Sequence, residues 1–119
     1  MPELPEVETV KNDLMPYVTG QRITGVTLNW DGIVKVPSAK EFREGLIGRR
    51  ITGLDRRAKY LLFKLDNGDT LVAHLKMTGA LLTDPPEELN NYIRAIIHLE
   101  DGKNIYFRDQ YRVSAILFY

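Results

Sequence analysis

The apolar residues of this chain fall into short segments separated by turn-forming residues, most clearly between positions 50 and 119. Asp66-Asn67-Gly68-Asp69 and Glu100-Asp101-Gly102 are the strongest turn sequences, and such sequences join neighbouring antiparallel strands. A series of short strands with regular turns predicts a β-sandwich or a β-barrel. The strands that we expect in this part cover residues 50–56, 60–65, 71–75, 80–82, 93–99, 104–108 and 114–119.

The first 36 residues predict a helix followed by a hairpin. Val7, Val10 and Leu14 recur at helical spacing, and Pro16 is expected to end the helix because proline interrupts its hydrogen-bond pattern. The chain then alternates between apolar and polar residues, as a half-buried strand does. The expected hairpin comprises residues 22–30, the turn Asp31-Gly32 and the returning strand 33–36.

A second helix is predicted after Ser38. Ser38 followed by Glu41 has the form of a capping box, and the helix would run through Leu46 and end at Gly48. Of the two β architectures we favour the sandwich. The expected fold class is therefore mainly β with an α+β composition, an antiparallel β-sandwich flanked by two α-helices.

Length and composition restrict the kind of protein. The 119 residues predict a single domain, and 44% apolar residues suffice for its core. Cysteine is absent, which excludes disulfides and cysteine-based metal sites. His74 and His98 cannot hold a metal without carboxylates. We therefore expect no metal and no organic cofactor in this chain.

The chain ends bear on location and completeness. No apolar run reaches the roughly 18 residues that span a bilayer, and the acidic N-terminus is unlike a signal peptide. These features predict a soluble, cytoplasmic protein. The apolar end Phe118-Tyr119 suggests a fragment or an engineered domain, since natural ends are usually polar. A short protein with a docked C-terminal strand is the alternative.

Charge is balanced overall but unevenly distributed. Sixteen basic and sixteen acidic residues cancel, so net charge gives no support for a nucleic-acid partner. Residues 49–64 nevertheless hold six basic residues and a single acid, Asp55. Such a cluster is either a solvated surface or a phosphate-binding one. Its members are Arg49, Arg50, Arg56, Arg57, Lys59 and Lys64.

The first eight residues, Met1-Pro2-Glu3-Leu4-Pro5-Glu6-Val7-Glu8, are the most informative part of the chain. Removal of Met1 would expose the secondary amine of Pro2, and a terminal amine with a pKa of about 8 is partly neutral and nucleophilic near pH 7. Its attack on a sugar C1′ would give an iminium. Glu3 would donate a proton to the departing base or ring oxygen, and Glu6 would position water or a second proton. Pro-Glu alone is also compatible with a plain helix start.

This string is similar to the N-terminal motif of the formamidopyrimidine-DNA glycosylase and endonuclease VIII family, and residues 4–8 resemble its formamidopyrimidine branch. Further segments match in the same order, at residues 56–62, 74–79 and 101–109. The resemblance extends over all 119 residues but includes the family's N-terminal domain alone. The helix–two-turn–helix module and the zinc finger are absent from the chain, so zinc is expected only in that missing C-terminal domain.

The resemblance implies a DNA-repair enzyme, a bifunctional glycosylase and abasic-site lyase. It would excise oxidised purines, such as 8-oxoguanine and formamidopyrimidines, through a Schiff base on Pro2. β- and δ-Elimination at the abasic site would follow. The implied partners are damaged duplex DNA and abasic DNA, bound by a monomeric, DNA-associated protein.

The resemblance also implies roles for individual residues. Lys59 would contact the phosphate beside the lesion, His74 a phosphate or the catalytic site, and Met77 would enter the space left by the flipped nucleotide. Each has a structural alternative: an exposed strand-edge lysine, a structural histidine and a methionine that fills a core gap. The implied catalytic residues are Pro2, Glu3, Glu6 and Lys59. The implied DNA-binding residues are His74, Met77, Tyr111 and Arg112.

One segment departs from the family pattern. After the position of Asp109 the formamidopyrimidine branch usually has proline or another residue, then two basic residues, phenylalanine and glycine. This chain has Gln110-Tyr111-Arg112-Val113-Ser114 instead, so Tyr111 replaces an arginine and Val113 the aromatic residue. The departure weakens the expectation that the protein examines duplex DNA for damage. It bears less on the expected reaction at Pro2, because the first eight residues match the family motif. A non-catalytic module that binds or senses damaged DNA therefore stays open, as does a folded fragment without useful DNA affinity. Outside these motifs, Tyr60, Trp30 and the apolar residues of 93–97 are expected in the core, and His98 has no assigned role.

Overall fold

The computed structural model describes residues 4–29, 34–36, 38–74, 79–83, 92–109 and 115–118. Within these ranges the chain forms two helices, α1 (Leu4–Val18) and α2 (Ala39–Leu46), and nine strands. The strands are β1 (Ile23–Leu28), β2 (Val34–Val36), β3 (Ile51–Arg57), β4 (Tyr60–Leu65), β5 (Thr70–His74), β6 (Gly79–Leu82), β7 (Ile93–Leu99), β8 (Asn104–Asp109) and β9 (Ala115–Phe118). Neither of the described helices combines the length and apolar character needed to cross a membrane.

The described strands form two sheets that face each other. Sheet A has the order β1-β7-β8-β6, and sheet B has the order β2-β9-β5-β4-β3. The two hairpins predicted at the turns of residues 66–69 and 100–102 are present, at β4–β5 and β7–β8, and Gly68 closes the first of them with a φ of +91°. This conformation is readily available to glycine. The predicted β-sandwich with flanking helices is confirmed.

Strand β2 contradicts the prediction of an N-terminal hairpin. Residues 33–36 are predicted to return beside residues 22–30, but β2 pairs in parallel with β9 in sheet B. β1 instead pairs antiparallel with β7 in sheet A. Alternating apolar residues define the buried face of a strand, whereas its partner depends on residues distant in sequence. The predicted turn Asp31-Gly32 and Trp30 lie outside the described residues.

Helix α1 also runs beyond its predicted end. It continues to Val18, two residues past Pro16. A proline in the last turn removes one backbone hydrogen bond, and tertiary contacts hold that turn in place. Val18 is fully buried, and the Tyr17 hydroxyl donates a hydrogen bond to the Thr83 carbonyl oxygen at 2.9 Å. Gly20, with a φ of +85°, then leads the chain away from the helix.

Helix α2 has the predicted caps. The Ser38 hydroxyl accepts a hydrogen bond from the Glu41 backbone N–H at 3.2 Å. At the other end, the Gly48 N–H donates to the Ile23 carbonyl oxygen at 2.8 Å. Phe42 and Leu46 on its inner face are fully buried, so this helix joins the edge of sheet A to the core.

The core lies between the sheets and beneath the helices. Inward residues of β4 alternate with exposed ones, as the two-residue period of a strand requires. On the outer side of sheet A, His98 bonds Thr27 Oγ1 and Asn104 Oδ1, both at 2.8 Å, so its contacts are structural. The buried apolar residues include Val7, Leu14, Val18, Ile23, Leu61, Phe63, Leu65, Leu71, Ala73, Ile93, Ala95, Ile97, Ile105 and Phe107.

Removal of the Phe42 ring should strongly destabilise the fold. Phe42→Ala leaves a cavity at a fully buried site and should lower the free energy of unfolding by about 3–5 kcal/mol. Urea denaturation of parent and variant measures the loss. Ile47→Ala is the control, because Ile47 follows α2 directly and is 45% exposed; it should change stability by less than about 1 kcal/mol. Equal losses in the two variants would contradict this view of the core.

Candidate active site

The start of α1 carries part of the predicted site. Glu6 lies in the first turn of the helix. Pro2 and Glu3 precede it and lie outside the described residues, as does the side chain of Glu6. Val7, directly after Glu6, is almost fully buried, and α1 packs on β3 and β4. The helix start is therefore held against sheet B.

Lys59 occupies the tight turn between β3 and β4. Arg57 pairs with Tyr60, so the turn consists of Ala58 and Lys59. Ala58 has a φ of +51°, a left-handed conformation that is uncommon for residues other than glycine. The Arg56 guanidinium donates a hydrogen bond to the Ala58 carbonyl oxygen at 2.8 Å. This contact holds the peptide that leads directly into Lys59.

An ion-pair network connects this turn to α1. Arg56 Nε lies 2.9 Å from Glu8 Oε1, and Lys11 Nζ lies 2.8 Å from Glu8 Oε2. Hydrogen bonds from Lys11 and then Arg56 lower the pKa of Glu8 below its usual value of 4.5. The helix that bears Glu6 and the turn that bears Lys59 are thus connected by two side chains.

His74 lies beside the same turn. It pairs directly with Tyr60 across β4 and β5, and the centroids of the two rings are 4.4 Å apart. Tyr60 is 38% exposed, so the prediction that it belongs to the core is wrong. Because Leu61 and Phe63 occupy the inner face, Tyr60 must lie on the outer face. Lys59 directly precedes Tyr60, so Lys59, Tyr60 and His74 form one basic and aromatic cluster, in which Tyr60 is exposed and the other two residues are partly buried.

The remaining predicted residues fall in segments that leave this end of the sandwich. Met77 lies outside the described residues, as do Tyr111 and Arg112. The strand residues that flank these segments are paired with each other: His74 with Ala115 in sheet B, and Gly79 with Asp109 in sheet A. Both segments therefore connect the same two strand pairs, next to the His74 and Tyr60 rings.

The basic cluster in the sequence divides between opposite ends of β3. Arg49 and Arg50 precede this strand and pair with Asp66 at 3.8 Å and Glu100 at 3.1 Å. Lys59 follows the strand, about 20 Å away for a strand of this length. The six residues are therefore not one continuous phosphate-binding surface. The part beside the candidate site contains Arg56, Arg57 and Lys59.

The residues missed from the sequence are Glu8, Arg56 and Tyr60. Glu8 and Lys11 stand three residues apart on a helix, a spacing that allows an ion pair. Nothing in the sequence indicates that Arg56 joins them, because 48 residues separate it from Glu8. The exposed position of Tyr60 could have been predicted, because successive side chains of a strand point to opposite faces and the next residue, Leu61, is buried.

The contribution of Glu8 to stability should depend on pH. Since the pKa of Glu8 is lower in the folded protein, its carboxylate stabilises the fold above pH 4.5, and this contribution is lost as pH falls through the folded pKa. Glu8→Gln should therefore lower the urea midpoint at pH 7, and the gap to the parent should narrow toward pH 3. Glu44→Gln, on the exposed side of α2, controls for net charge. A difference in urea midpoint between parent and Glu8→Gln that stays constant with pH would contradict the lowered pKa of Glu8.

Comparison with known proteins agrees with the fold. Residues 1–116 match the family model described as the formamidopyrimidine-DNA glycosylase N-terminal domain. The formamidopyrimidine-DNA glycosylase of Chloroflexus aurantiacus is 42% identical over 118 residues, which are 98% of this chain and 42% of that protein. The Moorella thermoacetica relative is 42% identical over 98% of this chain and 43% of its own length. The chain thus spans less than half of these relatives.

Solved structures of similar fold contain DNA. A Lactococcus lactis Fpg complex with Fapy-dG-containing DNA has a TM-score of 0.88 and 27% identity, over 98% of this chain and 43% of that one. A complex of the same protein with abasic-site DNA has a TM-score of 0.87 and 28% identity, over the same shares. A MutM complex with carbocyclic 8-oxo-G DNA has a TM-score of 0.89 and 27% identity, over 99% and 44%. By sequence and by fold, this chain belongs to the formamidopyrimidine-DNA glycosylase family, whose N-terminal domain it matches.

Proposed function

We propose that this chain is the catalytic domain of a DNA-repair glycosylase and abasic-site lyase. The family match over residues 1–116 carries the proposal, because that match includes the complete N-terminal string from Met1 to Glu8. The proposed substrates are formamidopyrimidine and 8-oxoguanine lesions, and abasic DNA. They agree with the DNA in the solved relatives, which contains Fapy-dG, carbocyclic 8-oxo-G or an abasic site.

The proposed reaction begins at the amine of Pro2 once Met1 is removed. The amine attacks C1′, and the electron pair of the C1′–N bond leaves with the base, which takes a proton from Glu3. Loss of the amine proton and opening of the C1′–O4′ bond then give the iminium. Removal of a C2′ proton expels the 3′-phosphate, and a second elimination expels the 5′-phosphate. Glu6 positions water or a second proton.

The described residues support this scheme by their charge and position. A basic turn that ends in Lys59 lies beside α1 and beside the Tyr60 and His74 rings. In the proposal Lys59 and His74 contact phosphate, Met77 enters the gap left by the flipped nucleotide, and Tyr111 and Arg112 contact the DNA around it. The chemistry needs no metal or organic cofactor from these 119 residues, and zinc is expected only in a C-terminal domain of the family.

We further propose that the protein is monomeric and cytoplasmic. Phosphate contacts dominate the affinity of proteins for DNA, and the chain spans about 42% of its relatives. We therefore propose that these 119 residues, tested alone, act better on unpaired abasic DNA than on duplex lesions, since an unpaired nucleotide is more easily flipped.

Borohydride trapping tests the nucleophile. The parent chain should become covalently attached to an abasic oligonucleotide, because borohydride reduces the iminium to a stable amine. Pro2→Gly, or retention of Met1, should abolish the attachment. Trapping at full yield with Met1 still present would exclude Pro2. A chain that binds abasic DNA but is never trapped would support the alternative of a non-catalytic damage-binding module.

Salt titration tests Lys59. If Lys59 neutralises one phosphate, Lys59→Ala should weaken DNA binding and reduce the slope of log K against log salt by roughly one. Lys64→Ala is the matched control, because Lys64 is exposed on β4 and pairs with Gly53, away from the turn. An unchanged slope for Lys59→Ala would contradict the phosphate contact. Absence of any binding at low salt would favour a folded fragment without DNA affinity.

A further inference from the structure

Arg56 makes two contacts that belong to different parts of the candidate site. Its Nε donates to Glu8 Oε1 of α1 at 2.9 Å, and its Nη1 donates to the Ala58 carbonyl oxygen at 2.8 Å. Its side chain is only 27% exposed. One guanidinium therefore bridges the helix that follows Pro2 and Glu3 and the turn that presents Lys59.

The turn depends on this contact because of its backbone conformation. Ala58 is held at a φ of +51°, which is unfavourable for a residue with a side chain. The Asp55 carboxylate also accepts a hydrogen bond from the Arg56 backbone N–H at 2.7 Å, which fixes the residue at the base of the turn. The Arg56 side chain then holds the carbonyl group of the strained residue.

The start of α1 depends on Arg56 as well, through the ion pair between Arg56 and Glu8. Buried Val7 sets how closely α1 approaches the sheet, while Glu8 limits the rotation of the helix by bonding Arg56 of β3. A guanidinium presents several donors in a rigid plane, whereas a lysine ammonium is a single point. Arginine is thus suited to hold two groups at a fixed spacing.

We propose that Arg56 is a positioning residue that sets the distance between the nucleophile at the start of α1 and Lys59 in the β3–β4 turn. This inference rests on the proposed function of Pro2 and Lys59. Arg56 is directed at Glu8 and Ala58, so its effect on the reaction is indirect. The reaction rate should depend on it far more than DNA affinity does.

Single-turnover trapping at saturating abasic DNA tests the proposal. Arg56→Lys keeps the positive charge but loses the rigid, planar set of donors that the guanidinium provides. The substitution should slow trapping by about 10- to 100-fold, which is the scale expected for a small misplacement of reacting groups. DNA affinity and its salt slope should stay within about twofold of the parent. Arg50→Lys is the matched control: it makes the same change at the other end of β3, where Arg50 bonds Glu100 at 3.1 Å, and should leave trapping unchanged.

Two more variants separate positioning from general destabilisation. Ala58→Gly added to Arg56→Lys should restore part of the rate, because glycine adopts the left-handed conformation without strain. Glu8→Gln added to Arg56→Lys should slow the reaction little further, since both act through one network. Failure of the glycine rescue, or loss of affinity with an unchanged rate, would overturn the proposal.

Hydrogen exchange provides a readout that does not depend on activity. In Arg56→Lys, but not in Arg50→Lys, the amides of Tyr60 and of the second turn of α1, residues 8–11, should exchange at least several-fold faster, with the remaining core unchanged. Unchanged exchange at these amides would overturn the bridging role. Faster exchange in a chain whose parent is never trapped would reject the proposed chemistry while retaining the role of Arg56 in the structure.

Discussion

Burial of one face of α1 is the constraint on which the site depends. Val7, Leu14 and Val18 are each almost fully buried, and burial of such side chains contributes about 1.5–3 kcal/mol apiece. The helix packs on β3 and β4, and its middle part faces Leu81 of sheet A across a groove. The hydrophobic effect thus fixes α1 against both sheets and brings its N-terminal end to the β3–β4 turn.

Polar contacts then refine the placement that burial makes possible. Apolar packing is not directional, so it leaves the rotation of the helix and the shape of the turn loosely defined. Glu8, Arg56 and the Ala58 carbonyl group supply directional contacts at this point. At the other end of α1, the Tyr17 hydroxyl bonds the Thr83 carbonyl oxygen. The helix is therefore fixed to sheet B near its start and to the end of β6 near its last turn.

Errors in the sequence predictions share a physical origin. The helix was expected to end at Pro16, yet the tertiary contacts of Tyr17 and Val18 outweigh one missing backbone hydrogen bond. The sequence predicts local pairing for residues 33–36, yet residues 34–36 join β9, about 80 residues away in sequence. Tyr60 is predicted in the core, although the strand period places it outside. In each case non-local contacts or the exact phase of a strand decided the outcome.

The amino-acid sequence predicts the family through its motifs, and it also predicts the approximate strand and helix positions, the caps of α2 and the hairpin turns at residues 66–69 and 100–102. These features depend on residues close together in the chain, such as Ser38 with Glu41. It also singled out Pro2, Glu3, Glu6 and Lys59 as candidates, through the resemblance of their motifs. Tertiary folding brings Arg56 to Glu8, whereas the pairing of Tyr60 with His74 already follows from the register of the hairpin predicted at residues 66–69. Tertiary folding likewise divided the basic cluster between two ends of β3, because neighbours in space arise from sheet order and helix packing, which no local pattern encodes.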